Sequence, residues 1–409
     1  MEPDELLAWL RLTLTDGVGN ASARKLLTAF GLPQRIFEQP ASTLRQVVSS
    51  NQVQALLGTP PELQTLLNTT LAWLAQDEDS GIRHRVAVLG DPHYPQALLS
   101  LDDPPLMLYL LGAAEFIQNS TLDLADTGLV AINKKTACLY IDPAQSLAVV
   151  GSRNPTPQGA DNARAFSRSM AQAGLTVVSG LALGIDGEAH QGALLGTAKH
   201  PDRAATVAVV GTGLDRVYPK AHRELAHRIA AHGLLVSEYP LGTPPLTANF
   251  PRRNRLIAGL SQGTLVVEAA LQSGSLITAR LAMEQGKEVF AVPGSIHAAQ
   301  SRGCHALIKQ GAKLVESAQD ILEELQWPAS PLNTPDSIAS HTDSTGARGL
   351  FDQNSGLLNA LGFDPVGLDA LQARCGLDAA QLQAQLMGLE LEGQVARLAG
   401  GLFQRLART

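Results

Sequence analysis

The sequence predicts an α/β protein whose doubly wound, mostly parallel core carries a small helical N-terminal domain and a C-terminal winged-helix domain. Three observations predict it. Between Leu147 and Leu325, short β-branched runs alternate with helical stretches. Short amphipathic segments precede them, and a Pro- and Ser-rich stretch after them leads to two helices and a hairpin. With 409 residues, 45% of them apolar, the chain can bury one sizeable core and still carry smaller units beside it.

The N-terminal unit, residues 1 to 80, reads as short helices, with Leu6, Leu7, Leu10 and Leu14 at helical spacing and then Leu26, Leu27 and Phe30. Thr15-Asp16-Gly17-Val18-Gly19-Asn20 is a Gly-x-Gly hairpin between the first two helices. It gives the unit a SAM or helix-hairpin-helix character. Such glycines let two helices pack closely, and the free amides of the hairpin also suit one phosphate; the packing role is favoured slightly.

The core, residues 81 to 326, follows. Strand-like runs end at Gly151, at Ser179-Gly180 and at Gly211, and the series continues at Leu234-Leu235-Val236, Thr264 to Val267 and Glu288 to Val292. Runs apolar on both faces and separated by helices describe a parallel sheet covered on both sides. Residues 113 to 146 read as an inserted loop within this core, and residues 327 to 350, rich in Pro, Ser, Thr and Asp, as a flexible linker. From 351 to 409, helices at Val366–Arg374 and Ala379–Glu392 and a hairpin turning at Gly400-Gly401 suggest a winged helix. Its second helix offers only glutamines, so sequence-specific duplex reading is not expected.

A net charge of −7 excludes an all-over basic coat, so nucleic-acid binding would need a local patch. No apolar run approaches the roughly 20 residues that span a bilayer, and the acidic Met1-Glu2-Pro3-Asp4-Glu5 start is unlike a signal peptide. A cytoplasmic protein without membrane attachment is expected. Cys138, Cys304 and Cys375 lack CxxC spacing, and neither a metal nor a cofactor is expected.

One patch stands out against this background. Phe250-Pro251-Arg252-Arg253-Asn254-Arg255 places three guanidiniums in four positions, in the connection between the strands at 234 and 264. Guanidinium is a planar fork of donors suited to phosphate, although a solvated helix start would look the same. Ligands in doubly wound folds bind beyond the carboxyl ends of the strands. Ser152 and Arg153 follow the first strand there, with Thr156 able to cap the next helix. The glycines of Ser179-Gly180 to Asp186 suit a backbone anion nest, and Ser273-Gly274-Ser275 opens a helix beyond the strand at 264. Asp186 and His190 fit a cap and a packed histidine better than acid-base work. Gly211-Thr212-Gly213 starts like a dinucleotide fingerprint but has Arg216 in place of the third glycine, and no Walker sequence is present.

These ordered blocks, from Gly151-Ser152-Arg153 through Gly211 to Asp215, Phe250 to Arg255, Ser273 to Ser275 and Val292-Pro293-Gly294, resemble the DNA-processing protein A family (DprA, also called Smf) closely over residues 147 to 325. The resemblance implies an extended Rossmann-like core without known catalysis. That core binds single-stranded DNA as a homodimer and hands it to the recombinase RecA in natural transformation. It also implies DNA contacts for Arg153, Phe250, Arg253 and Arg255, with Asn254 and Lys287 as weaker candidates. Ser152, Gly180, Arg252, Ser273, Gly274 and Ser275 complete the expected site. Leu183 stands where the family usually has a basic residue. The competing class is a Rossmann-like nucleotide phosphohydrolase or glycosidase similar to cytokinin-activating proteins, to which Glu268 would contribute. That family's Pro-Gly-Gly-x-Gly-Thr run is absent, Gly259 to Thr264 standing in its place. A pure protein-binding scaffold would leave the arginines unexplained.

Overall fold

A computed structural model describes residues 1–76, 81–117, 141–197, 203–296, 298–328, 357–358, 361 and 365–406. The chain opens with six helices: α1 (Pro3–Leu14), α2 (Asn20–Phe30), α3 (Pro33–Phe37), α4 (Ala41–Leu44), α5 (Ser50–Leu57) and α6 (Leu63–Leu74). Pro3 at the first turn and the acidic Asp4 and Glu5 favour the start of α1, and a Ser49/Gln52 capping box opens α5. Gly17 takes a positive φ in the hairpin, and its carbonyl accepts a 2.8 Å hydrogen bond from Gln52 Nε2. This contact ties the hairpin to α5, but a Cβ on Gly17 or Gly19 would meet nothing within 4 Å, so the glycines do not serve the close helix packing expected of them; Gly17 serves the positive φ of the turn.

Nine strands form one sheet among the described residues: β1 (Ile82–Val88), β2 (Met107–Ala113), β3 (Ser146–Val150), β4 (Thr176–Ser179), β5 (Thr206–Val209), β6 (Leu234–Ser237), β7 (Gly263–Val266), β8 (Glu288–Ala291) and β9 (Lys313–Leu314). Their order is β1-β2-β6-β5-β4-β3-β7-β8-β9. The six core strands expected from the pattern are all present and pair in parallel. β1 and β2 add an antiparallel edge through β6. The sequence pattern does not announce that edge, because β2 is an almost fully buried apolar run without alternation.

Between the strands lie α7 (Pro157–Gln172), α8 (Ile185–Gly196), α9 (Arg223–His232), α10 (Asn249–Gly259), α11 (Ser275–Glu284), α12 (Arg302–Lys309) and α13 (Ala318–Glu324). Alternate residues of β3 point to opposite layers. Leu147 and Val149 join Phe166, Ala189 and Ile321 under α7, α8 and α13, whereas Ala148 and Val150 join Leu256, Ile257 and Ala279 under α10 and α11. The N-terminal helices share a third cluster with the sheet, in which Leu6, Trp9 and Leu10 meet Met107, Tyr109 and Val210.

The chain runs from β3 outward to β6, then returns to place β7 on the other side of β3. This reversal makes a topological switch point, and a crevice opens there at the carboxyl ends of the strands.

The C-terminal unit consists of β10 (Val366–Gly367), α14 (Leu368–Cys375), α15 (Ala379–Leu391), β11 (Val395–Leu398) and β12 (Leu402–Arg405), with sheet order β10-β12-β11. Gly400 and Gly401 both have positive φ in the three-residue turn between β11 and β12, a conformation glycine adopts without a side-chain penalty. The first two residues of the helix expected from Val366 pair instead as a strand with β12.

Residues 118–140 of the expected insertion and 329–350 of the expected linker lie outside the described residues. Trp327, placed in the linker by composition, belongs to the core. Its indole nitrogen donates to the Ala173 carbonyl at 2.9 Å, and the side chain packs against the cluster that holds Phe166 and Ile321.

Gly192 and Gly196 sit four residues apart on α8, where a Cβ would run into the carbonyls of Arg164 and Arg168 on α7. Gly192→Leu is expected to force the two helices apart at a cost of about 1 to 3 kcal/mol or more, read as an earlier thermal melt.

Candidate nucleic-acid interface

At the switch point a groove of about 610 Å³ is lined by Ser152, Arg153, Tyr218, Phe250, Asn254 and Ser273 to Ser275, with Pro245 and Thr247 on its rim. Each side chain is delivered by an element described above. Ser152 and Arg153 leave the end of β3, where the Ser152 hydroxyl accepts from the Asn154 amide at 3.1 Å. Arg153 stays exposed, with its guanidinium 5.5 Å from the centroid of the Phe250 ring.

Helical periodicity divides the 250 to 255 cluster. Phe250, Arg253, Asn254 and Ile257 turn toward the groove, whereas Arg252 and Arg255, three apart, turn toward a second hollow of about 570 Å³ between the core and the N-terminal helices. The residues are adjacent in sequence yet serve two sites.

Arg253 is not the solvent-facing phosphate ligand that the sequence suggests. Only 4% of it is exposed. Its NH1 donates to the carbonyls of Gly180 and Val209, at the ends of β4 and β5, and its Nε donates to Asn254 Oδ1 at 3.0 Å. Asp186 Oδ2 lies 3.9 Å from its NH2. Burial lowers the Arg253 pKa, which Asp186 opposes, and burial raises that of Asp186, which Arg253 opposes. Gly180 contributes its carbonyl and the absence of a side chain, since a Cβ there would overlap the guanidinium.

Asn254 is committed as well, its Nδ2 donating to the Gly274 carbonyl at 3.3 Å. It is a strut between α10 and the start of α11. Arg255 pairs with Glu238, the two side chains being 15% and 11% exposed, and Arg252 is exposed at the same hollow. Lys287 lies at the opposite, amino-terminal edge of the sheet, just before β8. Its Nζ donates to the Ala258 and Gly259 carbonyls at 2.7 and 3.0 Å, closing the end of α10, and burial lowers its pKa to about 8. The groove therefore collects Ser152, Arg153, Phe250 and the 273 to 275 turn. Arg252, Arg255 and Lys287 lie elsewhere.

The expected anion nest after β4 is occupied from within. Leu181, at positive φ, donates its amide to His190 Nε2 at 3.3 Å, and the Ala182 amide points to Asp186 at 3.4 Å. Thr206 Oγ1 donates to the Val177 carbonyl and so accepts from His190 Nδ1 at 2.7 Å, which fixes the neutral tautomer. Burial holds the His190 pKa down to about 3. Ser273 and Ser275 hydroxyls meet at 2.7 Å across the start of α11.

Glu268, the acid of the competing enzyme reading, is bound to the start of α7. Its carboxylate accepts from the Thr156 amide at 2.9 Å and the Thr156 hydroxyl at 2.6 Å, while Thr156 Oγ1 caps Gly159 at 3.0 Å. A Cβ on Gly159 would strike that carboxylate.

Tyr218 is the groove residue that sequence reasoning missed. Its ring stacks on Phe250, centroids 5.7 Å apart and planes 30° apart. The available signal was an aromatic residue in the loop beyond the carboxyl end of β5, the same edge that carries Arg153.

Fold and groove together define a Rossmann-like α/β protein with an arginine and two aromatic rings at its switch point. The family described as DNA recombination-mediator protein A matches residues 135–326, and the DprA winged helix domain matches residues 341–401. The chain is 37% identical to Protein Smf of Escherichia coli (strain K12), over 91% of this chain and 87% of that protein. It is 41% identical to the DNA processing protein DprA of Streptococcus pneumoniae, over 58% of this chain and 73% of that protein. The X-ray structure of the S. pneumoniae DprA covers 79% of this chain and 98% of its own, with a TM-score of 0.60 and 33% identity. The chain belongs to the DprA/Smf family. Among the described residues, no helix is long and apolar enough to cross a membrane.

Arg253→Ala removes a buried charge and strands two carbonyls and a carboxylate. A loss of about 3 to 5 kcal/mol is expected in denaturant unfolding, because the remaining partner is left uncompensated.

The folded chain keeps His190 neutral down to about pH 3, whereas an unfolded histidine protonates near 6.5. The unfolded state therefore takes up the proton first. His190 contributes stability that is complete above pH 6.5 and falls as the pH drops toward 3, by up to about 1.4 kcal/mol per unit. Unfolding curves at pH 7, 6 and 5 should show this slope, and His190→Gln should flatten it.

Proposed function

We propose that this chain binds single-stranded DNA in the switch-point groove, that it does so in the cytoplasm as a homodimer, and that it passes the strand to RecA in recombination during natural transformation. The observation that carries the proposal is Arg153. It is an exposed cation at the carboxyl end of β3, set beside the Phe250 and Tyr218 rings in a groove at the position where doubly wound folds take ligands. Cation and aromatic faces in one groove suit a flexible strand, whose phosphates are neutralised while its bases stack, with little sequence preference. The recombination-mediator description of the matched family, and the DNA-processing names of the relatives, support the same reading. The dimer and the RecA contact rest on the family resemblance. The enzyme alternative gains nothing from the site, because both Glu268 carboxylate oxygens are engaged by Thr156.

Gel shifts should show preference for single-stranded over duplex oligonucleotides of equal length, and Arg153→Ala should weaken single-strand binding by roughly tenfold, the weight of one charge-assisted contact. With two phosphates neutralised, the log-log salt slope should be roughly −1 to −2, from about −0.7 per contact. Equal affinity for duplex, or a flat salt profile, would remove the proposal.

A further inference from the structure

Two features that the groove leaves unused meet in the second hollow. The hairpin between α1 and α2 brings Gly19 and Asn20 to it, and α10 brings Arg252 and Arg255. No side chain caps α2, so the amides of its first turn, on Asn20, Ala21 and Ser22, have no partner among the described residues. A Cβ on Gly19 would meet nothing within 4 Å, which leaves that side of the turn open. Arg252 is exposed, borders the same space and forms no ion pair among the described residues.

The wall behind them is incompletely paired. Glu238 and Arg255, 11% and 15% exposed, are joined through Oε2 and NH2, yet Glu238 Oε1 and Arg255 NH1 have no hydrogen-bond partner among the described residues. An ion pair this deep is costly unless its remaining donors and acceptors are met. Asp103, the other acid here, is already spent, its Oδ1 accepting from Arg24 at 3.3 Å and its Oδ2 from Asn20 at 3.2 Å. We propose that the hollow binds a mononucleotide, its phosphate on the α2 amides and Arg252 and its base edge on Glu238 and Arg255. A volume of about 570 Å³ suits a ligand of that size, and walls of Val18, Leu106 and Met107 suit its ring. A nucleobase edge sets a donor beside an acceptor, which answers one free carboxylate oxygen and one free guanidinium nitrogen. Because Glu238 and Asp103 offset the charge of the arginines, short hydrogen bonds and not a net field hold the anion. The site is divided from the groove by α10 and does not depend on a strand binding there.

The test titrates deoxynucleoside monophosphates, the matching nucleosides and inorganic phosphate into the full chain by calorimetry. An Arg153→Ala chain, whose groove has lost its cation, should still bind a monophosphate, and the nucleoside and the phosphate alone should each bind about tenfold or more weakly. On that background Arg252→Ala should weaken the monophosphate by roughly another tenfold. Gly19→Asp is the sharper variant. Aspartate is a preferred residue at the start of a helix and its Cβ would meet open space, so its own carboxylate takes the α2 amides. Nucleotide binding should then be lost while the melting temperature holds or rises. Binding that Arg153→Ala abolishes, or that survives both Gly19→Asp and Arg252→Ala unchanged, would overturn the inference and leave the groove as the only nucleotide site. Inorganic phosphate bound as tightly as the nucleotide would overturn it too, because the wall of Glu238 and Arg255 would then be idle.

Discussion

The buried guanidinium of Arg253 is the constraint around which this end of the molecule is arranged. It joins α10 to the last carbonyls of β4 and β5 and to Asp186 on α8, four elements distant in sequence. A charge this deep persists only if its donors are satisfied, and the requirement propagates. Position 180 must lack a side chain, Asn254 must turn its oxygen inward, and Asp186 must stay close although burial disfavours its charge. The carboxyl edge of the sheet is thereby held in one geometry before any ligand arrives.

Fixing that edge leaves Arg153 free. The two arginines sit at the same groove but under opposite conditions, one spent on internal carbonyls and one open to solvent. In a chain of net charge −7, the field available to an anion is then local to the groove. Arg255 is neutralised by Glu238, and Lys287 by its position closes a helix end instead of facing a ligand.

Several groups that look chemically active are likewise committed to structure. His190 holds the Leu181 amide and the Thr206 hydroxyl, which stabilises a loop with a non-glycine residue at positive φ. Because Asp186 and His190 take up amides of that loop, it offers an anion less than its glycines suggest, and Leu183 adds no cation to it. Glu268 does for the start of α7 what a bound anion does for other helices. Each arrangement pairs a polar group with backbone amides and a neighbouring hydroxyl or guanidinium, and this accounts for its burial.

The sequence alone determined the layering. Short apolar runs between helices dictate a covered parallel sheet, Pro157 after Thr156 dictates where α7 starts, and the glycine pair at 400 and 401 dictates the last hairpin, because these features depend on local sterics and period. The antiparallel edge of β1 and β2 escaped that logic, since a buried strand without alternation has no local signature. The site was half legible. Arg153 and Phe250 could be placed because they lie at, or pack back to, the ends of strands. Tertiary structure alone decided that Arg253 is buried, that Arg255 faces another hollow, and that Tyr218 stands beside Phe250. A helix turns each successive residue by about 100°, so neighbours in sequence face different surroundings, and only the packed sheet fixes which of those faces is groove and which is core.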